Sequence, residues 1–153
     1  MVTRLYFRLK LFILIFFITN YNLLSDESLK MSNINSTYAF ELYKNKKLII
    51  IDIRTSREWK STGVIPNSLL LPMHDENNME RKDFIEEIKK VLNENQNKTV
   101  SFICASGARS ELVKNYFLDK GYKNILNISD GILGQENDGW FYLGFPLESY
   151  LEN

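Results

Sequence analysis

The chain has 153 residues, of which 44% are apolar, and its 19 basic and 19 acidic side chains leave no net charge. This length suits one folded domain, and the balanced charge gives no support for nucleic-acid binding, so no nucleic-acid partner is expected. The single cysteine excludes an intramolecular disulfide. One cysteine and one histidine are too few for a zinc site of the Cys and His type, and we expect neither a metal nor an organic cofactor.

Residues 1–25 are predicted to be a targeting segment. Arg4, Arg8 and Lys10 precede an uninterrupted apolar run over residues 11–18. Such a run suits the hydrophobic region of a signal peptide, about 7–15 residues, better than a spanning helix of about 20. We therefore expect an exported protein, periplasmic or secreted. Because no clean cleavage site follows, the alternative is an uncleaved segment that anchors the chain in a membrane.

The rest of the chain is predicted to alternate between helices and strands. Residues 26–33 are polar and predict a linker, and residues 34–153 are predicted to form the domain. Hydrophobic periodicity predicts helices over 37–46, 57–60, 83–92 and 110–120, and strands over 48–51, 69–71, 100–103 and 125–128. Short links between alternating elements predict an α/β fold, with three layers (α/β/α) around a mostly parallel central sheet.

Several side chains can be assigned from these patterns. Ser36 and Ser56 are predicted to cap the first two helices. Trp140 is predicted to lie in the core because of the apolar area that a tryptophan buries. The strand over 69–71 is expected to be buried. Spacing predicts that the helix over 110–120 buries four residues: Leu112, Val113, Tyr116 and Phe117.

The only cysteine, Cys104, lies where a predicted strand ends and a loop leads into a predicted helix. Backbone N–H groups and the helix dipole favour negative charge there, and therefore a thiolate. A packing role for a buried cysteine is the alternative. Arg109 adds positive charge, whereas Asp52 and Arg54, after another strand, suggest a structural ion pair. Four small residues that can enclose a group held on the sulfur follow Cys104: Ala105, Ser106, Gly107 and Ala108.

Four stretches of the chain, in order, resemble motifs of rhodanese-like sulfurtransferases. Residues 104–110 (C-A-S-G-A-R-S) resemble the family's active-site loop. Residues 51–59 resemble its strand, D-x-R motif and acidic–aromatic pair. Residues 63–68 (G-V-I-P-N-S) are similar to G-H-I-P-G-A, and residues 140–146 to W-x-x-x-G-x-P. The resemblance covers most of the predicted domain and implies the rhodanese-like fold.

The resemblance implies an enzyme of the thiosulfate sulfurtransferase type. Cys104 would take a sulfane sulfur from a small-molecule donor such as thiosulfate. The persulfide would then pass that sulfur to cyanide or to a thiol, on a small molecule or a protein. Asp52, Arg54 and Glu58 are expected to support the site structurally. The resemblance assigns substrate binding to the loop after the cysteine: Ala105, Ser106, Gly107, Ala108 and Arg109.

Two other functions stay open at this point. The domain is either a weakly catalytic persulfide carrier or partner-binding module, or a phosphatase or arsenate reductase of the same fold. The phosphatase and arsenate-reductase relatives carry one more residue between the cysteine and the arginine. The shorter loop, residues 104–109, therefore favours sulfur over a tetrahedral oxyanion.

This sequence departs from the family pattern in two places. Val64 stands where the family usually has His, and Asn67 and Ser68 replace Gly and Ala, positions expected to be remote from the thiol. Residues 133–139 lengthen the chain between the Asp130-Gly131 turn and the tryptophan motif. This polar loop is expected to form part of the rim of the site.

Overall fold

The computed structural model describes residues 32–151, so the predicted targeting segment lies outside the described residues. These contain, in chain order, β1 (Asn33–Ile34), α1 (Ser36–Lys44), β2 (Leu48–Asp52), α2 (Ser56–Thr62), β3 (Leu69–Leu70), α3 (Phe84–Glu94), β4 (Thr99–Ile103), α4 (Ala108–Asp119) and β5 (Ile125–Ile128). The strands form one parallel sheet in the order β1-β5-β4-β2-β3. The predicted α/β fold with a parallel sheet is confirmed. None of the helices in the described part of the chain is long and apolar enough to cross a membrane.

The two faces of the sheet are covered by different helices. On one face, Ile51 and Phe102 of the central strands pack with buried residues of α3 and α4. On the other face, Ile50 and Ile103 pack with α1 and with Trp140. Trp140 is 0% exposed, which confirms its predicted place in the core. Because β2 and β4 are covered on both faces, most of their residues are apolar.

The caps of the first two helices differ from the prediction by one residue. The side chain of Asn35 caps α1, and the side chain of Thr55 caps α2, so the assignments to Ser36 and Ser56 are wrong. Ser36 is instead buried, and its hydroxyl donates to the carbonyl of Gly131. A cap residue has extended backbone before the helix, and a neighbouring Ser, Thr or Asn can fill that role equally well.

The two edge strands also differ from the prediction. β1 includes Asn33, which was assigned to the linker, and it pairs with β5. β3 lies at the opposite edge, so Leu69 is 39% exposed and the prediction of a buried strand there is wrong. An edge strand is supported on one side, and its environment depends on the neighbours that the fold provides.

Helix α4 begins at Ala108 and buries a more polar face than predicted. Leu112 is 67% exposed and Tyr116 is 38% exposed, so both assignments to the core are wrong. Its buried residues are Ser110, Val113, Lys114 and Phe117. The Lys114 ammonium donates to Asn33 Oδ1 at 3.0 Å and ties α4 to β1. Burial lowers the pKa of Lys114, and Glu111 only partly opposes this effect.

Candidate functional site

β4 carries Cys104 to the C-terminal edge of the sheet, where parallel α/β proteins bind their ligands. The strand ends at Ile103 and α4 begins at Ala108, so Cys104 opens the connecting turn. We call residues 104–109 the thiol loop. The cysteine is free and 1% exposed. The site is therefore a shielded thiol at the junction of a strand and a helix.

The backbone of the thiol loop keeps its N–H groups available. Within the described residues, no protein acceptor receives a hydrogen bond from the backbone N–H groups of residues 105–110. The first such bond on the C-terminal side of the loop runs from Glu111 N–H to the carbonyl of Gly107, at 3.0 Å. Successive unpaired N–H groups at the start of a helix form a cradle for an anion. The loop can therefore stabilise a thiolate or the anion formed on it.

Ser110 supplies a side-chain hydrogen bond to the thiol. Its Oγ lies 3.4 Å from Cys104 Sγ and 3.1 Å from the carbonyl oxygen of Gly107, and the residue is fully buried. The hydroxyl has one proton, which it can donate to the sulfur or to the carbonyl, and donation to an ionised sulfur stabilises the charge. Sequence reasoning assigned Ser110 no role. The available signal was a hydroxyl residue in the first turn of the helix that follows the cysteine.

On the β5 side, two glycines allow the chain to approach the thiol loop closely. Gly107 has φ +83°, and a Cβ there would overlap the carbonyl oxygen of Ser129. Gly131 has φ +66°, and a Cβ there would lie 2.6 Å from two carbonyl oxygens of the thiol loop. The next residue, Ile132, donates its N–H to the Cys104 carbonyl at 2.9 Å. The backbone after β5 therefore fixes the loop without using side chains.

On the opposite side, α2 holds the loop through an ion pair. Both terminal nitrogens of Arg109 donate to the Glu58 carboxylate, at 3.1 and 2.5 Å, and both side chains are about 70% buried. The backbone N–H and hydroxyl of Thr55 also donate to Glu58, at 2.8 and 2.9 Å. Glu58 thus completes the capping box of α2 and binds the loop with the same carboxylate.

The electrostatics of this pair favour the charged forms. Burial alone raises the pKa of Glu58, but the hydrogen bonds from Arg109 and Thr55 outweigh it and leave the pKa below 4.5. The hydrogen bond to Glu58 raises the pKa of Arg109 despite burial. Arg109 was expected either to bind the substrate, as the resemblance implies, or to brace the loop. The structure places its guanidinium against Glu58, where it braces the thiol loop.

Asp52 and Arg54 form a second, fully buried ion pair. Arg54 Nη2 lies 2.7 Å from Asp52 Oδ2, and the side chains are 1% and 0% exposed, respectively. The guanidinium also donates to Thr62 Oγ1 at 2.6 Å and to the carbonyl of Gly63 at 2.9 Å. These contacts fix the end of α2 to the end of β2. The pair therefore positions the helix that carries Glu58.

A cavity of about 230 Å³ adjoins the thiol loop at Ala105. Leu133 lines it and donates its N–H to the Ala105 carbonyl at 2.8 Å. Leu133 is the first residue of the added loop that was expected at the rim, whereas residues 134–139 do not line this cavity. The α2 side of the cavity presents four residues: Arg57, Glu58, Ser61 and Thr62. The sequence analysis did not identify Arg57. Across residues 32–151, no group of three or more Cys, His, Asp or Glu side chains is placed to hold a metal.

Comparison with known proteins identifies relatives of this domain. An uncharacterised protein of Rickettsia rickettsii is 34% identical over 126 residues, which cover 78% of this chain and 99% of that protein. A protein of Allochromatium vinosum named as a sulfurtransferase is 32% identical, covering 69% of this chain and 83% of the relative. A tRNA uridine(34) hydroxylase of Buchnera aphidicola is 31% identical, but the match covers only 31% of that enzyme.

Solved structures also match the fold of this chain. A protein of M. tuberculosis superimposes with a TM-score of 0.62 at 21% identity, covering 77% of this chain and 97% of that one. A protein of Rhodopseudomonas palustris, described as a possible tyrosine phosphatase, has a TM-score of 0.55 at 25% identity. The family model for the rhodanese-like domain matches residues 37–137. The chain belongs to the rhodanese-like domain family.

Proposed function

We propose that this protein is a sulfurtransferase that carries a sulfane sulfur on Cys104. The observation that carries the proposal is the thiol loop, in which a buried thiol is followed by successive backbone N–H groups that have no acceptor among the described residues. The Ser110 hydroxyl adds a donor at the sulfur. Small residues at 105–108 leave room for one further sulfur atom. The named sulfurtransferase among the relatives supports the same chemistry.

In the first step, the Cys104 thiolate attacks the outer sulfur of a donor such as thiosulfate. A sulfur–sulfur bond forms to Cys104, the sulfur–sulfur bond of thiosulfate breaks, and sulfite leaves with the electron pair. The loop N–H groups and Ser110 stabilise the persulfide anion that remains. In the second step, cyanide or a thiolate attacks the terminal sulfur and takes it, and the Cys104 thiolate is restored. Charge and atoms balance in both steps without a cofactor.

Two other functions are consistent with family membership. A persulfide carrier would perform the first step with little turnover. A phosphatase would need to hold a tetrahedral phosphate in the loop. The thiol loop has four residues between Cys104 and Arg109, one fewer than in the phosphatase-type loops of this fold. Sulfur transfer is therefore favoured over phosphate hydrolysis, because a smaller ring of N–H groups suits one sulfur atom.

The test is to incubate the purified domain with thiosulfate and measure its intact mass. We expect a gain of one sulfur atom on the wild-type protein, removed by cyanide with formation of thiocyanate. The Cys104→Ser variant should melt as a folded protein and show neither result. Turnover by that variant, or aryl phosphate hydrolysis faster than thiocyanate formation in the wild type, would refute the proposal. A single mass gain without repeated turnover would identify a carrier.

A further inference from the structure

A second cavity, of about 450 Å³, lies at the opposite end of the sheet from the thiol, where α3 and α4 end. Val100, near the start of β4, lines it, whereas Cys104 follows the end of that strand. At about 3.3 Å per residue in a parallel strand, these two residues are about 13 Å apart. This cavity, which we call the basal cavity, is therefore separate from the site beside the thiol loop.

Three lysines line the basal cavity, and no carboxylate of the described residues does. The side chains of Lys98 and Lys123 make no hydrogen bond or ion pair with any residue that the structure describes. The Lys120 ammonium lies 5.7 Å from the centre of the Tyr116 ring and likewise has no carboxylate partner there. The chain has as many acidic as basic residues, so its composition does not account for this local excess of positive charge. Like charges around one concave surface favour the binding of an anion.

Lysines near helix C-termini can have a purely structural role, because the terminal carbonyl groups attract cations. The carbonyl groups at this end of the molecule already have other donors. In α3, the side-chain amide of Asn95 donates to the Val91 carbonyl at 2.9 Å, and its backbone N–H donates to the Leu92 carbonyl at 3.2 Å. In α4, the backbone N–H groups of residues 120–122 donate to the carbonyls of residues 116–118. The lysine ammonium groups are therefore available to a ligand.

We propose that the basal cavity binds a mononucleotide, with its phosphates at the three lysines. Lysine is a common ligand of phosphate groups in proteins. Leu92 and Val100, which are 4% and 2% exposed, form an apolar floor beside the half-buried ring of Tyr122, and this surface suits a base. The side-chain amides of Asn93 and Gln96 are exposed and make no hydrogen bond with a described residue, so they are available to the polar edges of the base or sugar.

The size of the basal cavity indicates an organic phosphate and not a bare phosphate ion. Its volume equals that of roughly fifteen water molecules at about 30 Å³ each. Small-molecule sites in proteins have volumes of about 300–1,000 Å³, and they combine apolar walls with a few polar groups. The basal cavity meets both criteria. This assignment does not depend on the proposed sulfur transfer.

The test is titration calorimetry of ADP into the purified full chain without divalent cations. We expect ADP to bind at least about tenfold more tightly than adenosine, which lacks the phosphates, and than pyrophosphate, which lacks the nucleoside. Added salt should weaken the binding of ADP. Adenosine that binds as tightly as ADP would overturn the phosphate site, and pyrophosphate that binds as tightly would overturn the role of the apolar floor. An ADP dissociation constant above about 1 mM would overturn the proposal as a whole.

Two double variants test the lysines at equal net charge. Lys98→Gln combined with Lys123→Gln should weaken ADP binding about tenfold. The control combines Lys82→Gln with Lys90→Gln, two exposed lysines that do not line the basal cavity, and it should leave ADP binding unchanged. Equal weakening in both double variants would show a general effect of net charge and would overturn the site.

Backbone amide chemical shifts locate the bound nucleotide. ADP should shift the signals of Gly121 and Lys123 and leave that of Gly107 in the thiol loop unchanged. Shifts at Gly107 without shifts at the other two residues would overturn the assignment to the basal cavity. A short single-stranded RNA that binds more tightly than ADP through the same lysines would overturn the assignment to a mononucleotide. ADP binding is measured without a sulfur donor, so its result does not depend on whether the protein transfers sulfur.

Discussion

Replacement of Glu58 and Arg109 by glutamine, singly and together, tests whether their ion pair braces the thiol loop. Two unit charges about 4 Å apart attract by about 4 kcal/mol at an effective dielectric constant of 20. Desolvation of two side chains that are about 70% buried offsets part of this attraction. We expect each single variant to lose about 2 kcal/mol of unfolding free energy. The coupling energy from the double-mutant cycle should be about 1–2 kcal/mol.

The measurement is urea unfolding followed by the fluorescence of Trp59 and Trp140, which are 3% and 0% exposed. Trp59 is next to Glu58 in α2 and reports directly on that helix. The control is a second cycle on the surface pair Glu41–Lys44, which has a similar contact distance of 2.8 Å but is 53% and 47% exposed. That cycle should give less than about 0.5 kcal/mol. Equal coupling in both cycles, or coupling below about 0.5 kcal/mol at Glu58–Arg109, would refute the bracing role.

The same cycle has a defined pH dependence. The pKa of Glu58 is below 4.5 in the folded protein, because the hydrogen bonds from Arg109 and Thr55 outweigh the effect of burial. The stabilisation is therefore fully present above about pH 4.5 and is lost as the pH falls through the folded-state pKa. Coupling that persists after Glu58 is protonated would show that the interaction is not electrostatic.

Three further predictions concern the loop and the N-terminal segment. Gly107→Ala should destabilise the fold by at least about 2 kcal/mol in thermal melts, because its φ is positive and a Cβ there overlaps the Ser129 carbonyl. The control is Gly121→Ala, where φ is also positive but a Cβ meets open space, and it should cost about 1 kcal/mol. Equal costs would contradict the close approach. Ser110→Ala should slow persulfide formation about tenfold, measured by quenched mass spectrometry, because the thiolate loses a hydrogen bond; an unchanged rate would exclude that role. Residues 1–30 fused to a reporter should export it, and a reporter retained in the cytoplasm would refute the predicted signal.

The central part of the fold could be predicted because its signals are local. Residues 48–51 form a continuous apolar run and residues 100–103 are apolar except for Ser101, and strands buried on both faces have that composition. The edges could not be predicted in the same way. β1 has two residues, and it is held by pairing with β5 and by the hydrogen bond from Lys114 to Asn33, 81 positions apart. Contacts of that kind leave no periodicity in the sequence.

In the site, too, the features set by neighbouring residues could be predicted, whereas those set by distant residues could not. Cys104 could be placed between a strand and a helix because the residues that define both elements are its neighbours in the chain. Arg109 could be recognised as a conspicuous charge, but its partner Glu58 lies 51 positions away, and only the fold brings them together. Sequence reasoning therefore could expect Arg109 to hold the anionic donor or to brace the loop, but it could not identify the partner. Arg57 offered only a weak local signal, a cation in the first turn of a helix.

Helix α2 connects the core of the fold to the thiol loop. Asp52 and Arg54 fix the helix, and Glu58 on that helix holds Arg109 of the thiol loop, so we expect substitutions at these positions to affect folding and the geometry of the loop together. Arg57 is on the same helix but makes no hydrogen bond or ion pair with any residue that the structure describes. Arg57→Gln should therefore leave the loop in place and raise the melting temperature slightly, because the helix dipole disfavours a cation in the first turn.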